Sequence, residues 1–233
     1  MVNLFKLLAI EGIDGAGKRT QIELLAKLLG ERRVRHARFS FPRYESFFGK
    51  MVGRYLNGEF GAMAAVDPHF SALLFAGDRL EARGELWAAL EKGKVVLADR
   101  YIASNLAHQG ARVPAGHRKE FLEWLARLEY KVYGLPAESL VVYLRLPAAA
   151  AQVLVEKKST RNYTRLRKDI QEADLAHLEE AARVYDTLAK QTNWVTVECF
   201  DGAKQEMRAP AAIHAEVVAA MEKKASYLVK RRK

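Results

Sequence analysis

The sequence holds a single cysteine, Cys199. An intramolecular disulfide framework is therefore excluded, and a reducing, cytoplasmic setting is expected. Cys199 sits in a strand-like segment, where a lone thiol reads as buried filler rather than as a nucleophile. No uncharged stretch approaches the roughly 18–20 apolar residues that a membrane-spanning helix needs. The first apolar run is short and broken by Lys6, so no secretory leader is expected. There is no internal repeat, no low-complexity linker and no break in composition, so residues 1–233 are expected to form one domain. Acidic residues are in deficit, 28 against 38 Lys and Arg, which leaves a net charge of +10. That excess suits a nucleic acid or a small anion equally. Part of it is the tail, residues 225–233, ending in Lys230-Arg231-Arg232-Lys233, which reads as solvated.

Half of the residues are hydrophobic, enough for a full core in a chain of 233 residues. Strand-like runs recur at residues 4–10, 36–41, 95–99, 140–146 and 194–200. Helical patterns alternate with them at 18–33, 70–91, 116–133, 147–158, 171–191 and 210–224. Five strands with helical crossovers predict an α/β fold, a parallel sheet covered on both faces. Ligands in such sheets bind at the carboxyl ends of the strands, so the residues just after each strand carry most of the information.

After the first strand comes Gly12-Ile13-Asp14-Gly15-Ala16-Gly17-Lys18, leading into a helix. This is the spacing of a phosphate-cradling P-loop. Glycines let successive N–H groups turn inward, the helix adds its positive end, and Lys18 supplies a full charge for β- and γ-phosphates. A nucleoside triphosphate, ATP, is the expected ligand. The usual hydroxyl after the lysine is replaced by Arg19, with Thr20 one place late. Arg19 can contact phosphate but cannot bind a metal, which leaves Asp14 as the nearest candidate ligand for Mg²⁺.

The second strand ends in Phe41-Pro42-Arg43-Tyr44. Pro42 favours an extended turn. An arginine there suits a second phosphate, or a solvated loop. The third strand ends in Asp99-Arg100-Tyr101, where Arg100 can face the gap between two phosphate-bearing ligands and Asp99 can orient it or help hold Mg²⁺. If the next turn is helical, Tyr101, Asn105 and His108 share one face. A lone histidine there is by default structural. Phe75 and Arg79 are four apart on a helix: a ring and a guanidinium that can grip a nucleobase, or a core ring with an arginine paired to Asp78, Glu81 or Glu85. Residues 157–168 hold six basic residues, Arg161, Arg165 and Arg167 among them, and no acid. Such a run is a solvated face or a basic lid that closes on phosphates.

Together these segments, with Glu11 before the P-loop, Leu74–Arg79, Tyr133-Gly134-Leu135-Pro136, and Asp169 and Glu172 leading into Arg183-Val184-Tyr185, resemble the thymidylate kinase family of P-loop nucleoside monophosphate kinases. The resemblance covers about residues 4–222. It implies a P-loop NTPase three-layer fold with sheet order 2-3-1-4-5, phosphoryl transfer from ATP to dTMP, Mg²⁺ held by Asp14 and Asp99, and a homodimer. It also implies roles. Phe41, Arg43 and Tyr44 line the dTMP site, and Arg43 binds its phosphate. Phe75 stacks on thymine, Arg79 donates to its O4 and Asn105 helps hold the base. Tyr101 and His108 lie near the sugar. Arg100 bridges the two phosphates. Lys18 and a lid arginine, Arg165 above the others, stabilise the moving phosphoryl group. His108 stands where the family commonly has an aromatic residue, which puts the discrimination between deoxyribose and ribose at that position. The alternatives are a kinase for dUMP or UMP, a non-catalytic nucleotide-binding regulator and, on charge alone, a nucleic-acid binder.

Overall fold

The computed structural model describes residues 7–156 and 174–230. The basic segment 157–168, with Arg161, Arg165 and Arg167, lies outside the described residues.

Five short strands form the central sheet: β1 (Leu7–Glu11), β2 (His36–Ser40), β3 (Val95–Asp99), β4 (Leu140–Arg145) and β5 (Trp194–Glu198). They are all parallel, in the order β2-β3-β1-β4-β5. β1 is apolar from Leu7 to Ile10 and buried throughout, as a central strand covered by helices on both faces requires. The edge strands β2 and β5 are mostly partly buried or exposed, with Val197 of β5 turned into the core. In register, Ile10 pairs with Asp99, and Ser40 also pairs with Asp99. This aligns the carboxyl ends of β1, β2 and β3, and the residues after them, Gly12–Lys18, Phe41–Tyr44 and Arg100–Tyr101, emerge side by side.

The helices are α1 (Lys18–Glu31), α2 (Phe47–Leu56), α3 (Pro68–Glu91), α4 (Ile102–Gly110), α5 (Ala115–Arg127), α6 (Ala148–Glu156), α7 (Leu175–Leu188) and α8 (Pro210–Lys230). α1 buries Lys18, Gln21, Ile22, Leu25, Ala26 and Leu29, a stripe at three- and four-residue spacing. α3 is capped by the Asp67 side chain, which accepts from the His69 N–H, and carries Pro68 in its first turn. Every residue of α4 is buried.

Three elements differ from expectation. α2 has no counterpart in the sequence reading, although Ser46 caps it through the Gly49 N–H. The helix expected at 116–133 is α5 followed by a π-helical turn at Leu128–Val132. The fifth strand stops at Glu198, and β6 (Phe200–Asp201) forms a small antiparallel hairpin with β7 (Glu206–Met207). Cys199 lies buried at that break, and burial pushes its thiol up to about 12, so it is inert.

Candidate active site

The P-loop is built by the tight exit from β1. Gly12 has φ 141°, and a Cβ there would lie 2.5 Å from the Leu144 carbonyl oxygen of β4, so only glycine lets the loop pass so close. Ile13 and Ala16 anchor the loop in the core. Gly17 opens α1 without a side-chain cap, which leaves the helix N–H groups directed at the loop. Lys18 folds back, and its Nζ donates to the carbonyls of Gly12 and Ile13 at 2.9 Å each. Arg19 and Thr20 are exposed. Arg19 pairs one turn along with Glu23 at 2.9 Å and faces away from the loop.

Arg100 reaches the same place from β3. It adopts φ 63°, an uncommon conformation for a residue with a side chain. Its backbone N–H donates to the Ile10 carbonyl. Its Nη2 donates to Asp14 Oδ1 at 2.7 Å, and its Nη1 to the Gly12 carbonyl at 3.3 Å and to Ser104 Oγ at 3.1 Å. Lys18 Nζ lies 4.0 Å from the same Asp14 oxygen. Burial works against the charge of Arg100, but Asp14, Tyr185, Glu11 and Asp99 outweigh it and hold the guanidinium pKa above its ordinary value.

Beneath the loop, Glu11 is fully buried. It accepts from the Tyr101 N–H at 2.7 Å, Ser104 Oγ at 2.6 Å and the Tyr185 hydroxyl at 3.0 Å. Glu11 thereby ties the end of β1 to α4 and α7 and fixes the turn from which Arg100 projects. Ser104 and Tyr185 had no assigned role in the sequence. Glu11 carried one signal, a charge at the end of an apolar strand.

Arg43 stands beside α3. Gly49 permits this, because a Cβ there would meet the Arg43 carbonyl oxygen at 1.7 Å. The Arg43 N–H donates to Asp78 at 2.8 Å, and its guanidinium meets Asp78 at 3.4 Å, Glu85 at 3.1 Å and Glu81 at 3.9 Å. The three carboxylates weighed as partners of Arg79 are therefore gathered around Arg43. Arg79 pairs instead with Glu129, from the π-helical turn, through bonds of 2.5 and 2.7 Å, and both side chains are almost fully buried. Nε and Nη2 are engaged in that pair.

The expected shared face of Tyr101, Asn105 and His108 is corrected by the structure. Tyr101 precedes α4, is fully buried, and donates its hydroxyl to the Pro136 carbonyl, so it turns into the core rather than toward a sugar. Phe41 is likewise buried, with its ring 5.9 Å from that of Tyr101. Asn105 Nδ2 donates to the Ala72 carbonyl at 3.0 Å and to Glu129 at 2.9 Å. Two acceptors on that side fix the amide orientation, and Oδ1 is left buried without a partner among the described residues. His108 Nε2 lies 3.4 Å from Arg100 Nη1. Phe75 is partly buried and meets Tyr55 edge-on at 6.1 Å, and Tyr44 packs in the same cluster. Asp99 is half-buried at the end of β3.

Residues 10–208 match the family model described as thymidylate kinase. The chain belongs to the thymidylate kinase family. It is 34% identical over 186 residues to the thymidylate kinase of Mycobacterium tuberculosis (strain ATCC 25618 / H37Rv), 79% of this chain and 86% of that protein. It is 29% identical over 218 residues to a probable thymidylate kinase of Pyrobaculum calidifontis, 93% of this chain and 99% of that protein. A solved thymidylate kinase from Candida albicans matches the fold with a TM-score of 0.71 at 19% identity, covering 94% of this chain and 92% of the other. The sheet order of that family fold is the one observed here.

Among the described residues no cluster of three His, Cys, Asp or Glu side chains can hold a metal alone. Mg²⁺ does not require one, because it is commonly bound by one or two carboxylates together with waters and substrate phosphates. Asp14 and Asp99, hard oxygen donors beside the P-loop, fit that demand.

Proposed function

We propose that the protein transfers the γ-phosphoryl group of ATP to dTMP, giving dTDP and ADP. The observation that carries this reading is the convergence of Lys18 and Arg100, from different elements, on one carbonyl and one carboxylate, Gly12 and Asp14. Two cations that share one carbonyl and one partly exposed carboxylate are placed where phosphate oxygens can take them over. Phosphoryl transfer asks the protein for alignment and charge neutralisation rather than for covalent chemistry. Lys18 and the P-loop N–H groups hold the donor phosphates. Arg43 neutralises the acceptor phosphate. Arg100 stands between the two and stabilises charge that grows on the transferred group. Arg161, Arg165 and Arg167 are the expected source of a further cation. Asp14 and Asp99 would hold Mg²⁺, which would supply charge neutralisation at the phosphates.

The base site is supported by Asn105 and Arg79, which share Glu129 Oε1, and by the buried Asn105 Oδ1, which has no partner among the described residues. An acceptor from Asn105 and a donor from Arg79 would match the N3–H and O4 of thymine, with Phe75 as a stacking surface. A homodimer is supported by α3, where Leu73 and Trp87 are exposed and, with Leu80, follow a seven-residue spacing next to exposed Phe70. A cytoplasmic setting suits the buried free thiol of Cys199.

The test is ADP formation with ATP and Mg²⁺ across dTMP, dUMP, UMP, dCMP, AMP and GMP. Preference for dTMP is expected. Equal use of UMP overturns the assignment of the sugar site, and no turnover with any monophosphate overturns the reading as an enzyme.

A further inference from the structure

His177 opens the first turn of α7, fixed there by Asp174, whose side chain accepts the His177 N–H at 3.0 Å. Its imidazole is buried against that of His108, with ring centroids 5.6 Å apart and His108 Nδ1 at 3.4 Å from His177 Nε2. The other edge of His108 faces Arg100, Nε2 to Nη1 at 3.4 Å, and Tyr185 closes edge-on over the ring at 6.1 Å.

The direction of this chain follows from chemistry. A guanidinium only donates. Where Arg100 Nη1 shares a proton with His108, Nε2 accepts, which places the His108 proton on Nδ1. That proton then faces His177 Nε2, so the His177 proton is on Nδ1 as well, and both rings are neutral in this arrangement. Burial, Arg100 and His177 hold His108 well below its ordinary pKa, and burial together with Arg112 brings His177 to about 4 against the opposing carboxylates of Asp174 and Asp14.

Arg100 must give up Asp14 and the Gly12 carbonyl when phosphates arrive. Ser104 and His108 hold it from the other side, and both stand on the fully buried helix α4. An imidazole supports Arg100 only in the Nδ1–H form. In the Nε2–H form it turns a proton toward a cation that has no lone pair.

We propose that His177 is a positioning residue for phosphoryl transfer: by accepting from His108 it fixes the tautomer in which His108 holds Arg100 toward the phosphates. This rests on the reading of Arg100 given above. It gives His108 a second role, support of the arginine, beside any contact with the sugar. A serine, a tyrosine and two histidines thus connect Arg100 to both α4 and α7.

The test uses the full chain and three measurements. Long-range ¹H–¹⁵N correlation on histidine-labelled protein is expected to show both rings in the Nδ1–H form. His108 in the Nε2–H form overturns the proposal without reference to activity. His177→Leu is expected to lower kcat about tenfold while KM for ATP and dTMP stays within about twofold. His177→Gln, whose Oε1 takes the place of Nε2 and can only accept, is expected to keep kcat within about threefold of the wild type. Equal losses in the two variants, or full kcat in His177→Leu, overturn the proposal. Arg100→Ala measured in parallel separates the two readings. If it keeps full turnover, the role of Arg100 itself is wrong. If it is impaired while His177→Leu is not, only the role of His177 fails.

Discussion

Two arginine–carboxylate pairs in this protein use the same chemistry for opposite ends. Arg79 and Glu129 are joined by two bonds and are 2% and 0% exposed, with Asn105 completing the arrangement at Glu129 Oε1. Arg100 and Asp14 are joined by a single close contact and are 15% and 26% exposed, at the mouth of the P-loop. The first pair is closed: a buried charge has found a bidentate partner, and neither can leave without stranding the other. The second is open. Its charges are balanced well enough to fold, and poorly enough that a phosphate can displace the carboxylate. Arg43 lies between them, 23% exposed and shared among Asp78, Glu81 and Glu85.

The comparison breaks most readily at its closed end. Glu129→Ala leaves Arg79 buried without a counter-charge and is expected to cost about 3–5 kcal/mol of stability, read by urea denaturation. A loss under about 1 kcal/mol means water reaches Arg79 and the pair is not closed. The open end should answer in rate instead. Arg100→Ala is expected to lower kcat by about 10²–10³-fold and change stability by no more than about 1 kcal/mol. A variant that unfolds but turns over normally when folded would erase the distinction between the two pairs.

Glu138 sharpens the comparison, as a buried carboxylate with no cationic partner among the described residues. Its Oε2 accepts the Tyr130 hydroxyl at 2.6 Å, and its Oε1 has no partner among the described residues. Burial, reinforced by Glu11 and Glu129, raises its pKa to about 7 against the opposing bond from Tyr130. A folded pKa raised from 4.5 gives stability that is present below 4.5 and lost as the pH rises through about 7. Glu138→Gln should therefore stabilise the protein by about 1–3 kcal/mol at pH 8 and by nothing measurable at pH 4.5. Thermal melts at the two pH values check this. The smallest effect is expected at Arg145–Asp186, a pair with two bonds of 2.9 Å but 48% and 40% exposure. Asp186→Asn should cost under about 1 kcal/mol, and less in high salt. A larger loss there would mean that bidentate geometry, rather than burial, sets the strength of these pairs.

What was legible beforehand was local. The P-loop depends on three closely spaced glycines, a lysine and a helix start, and Asp99-Arg100 was marked by its place after a buried strand. α2 and the β6–β7 hairpin were missed although Ser46 before an apolar run and Asp201-Gly202 are start and turn signals. Glu129 and His177 left no signal at all. Glu129 sits fifty residues from Arg79 in a π-helical turn, and His177 sixty-nine residues from His108.

The sequence by itself determined the alternation of strands and helices, the phosphate loop and the set of arginines that can meet phosphate. Only the tertiary structure decided how those arginines are divided: Arg79 into a buried pair, Arg43 among three carboxylates, Arg100 onto the P-loop with two histidines behind it. Loop conformation follows from neighbours along the chain, because glycine and lysine act within a few residues. The partner of a charge follows from which elements pack together, and the strongest attraction goes to whichever opposite charge is buried beside it, however far away in the sequence.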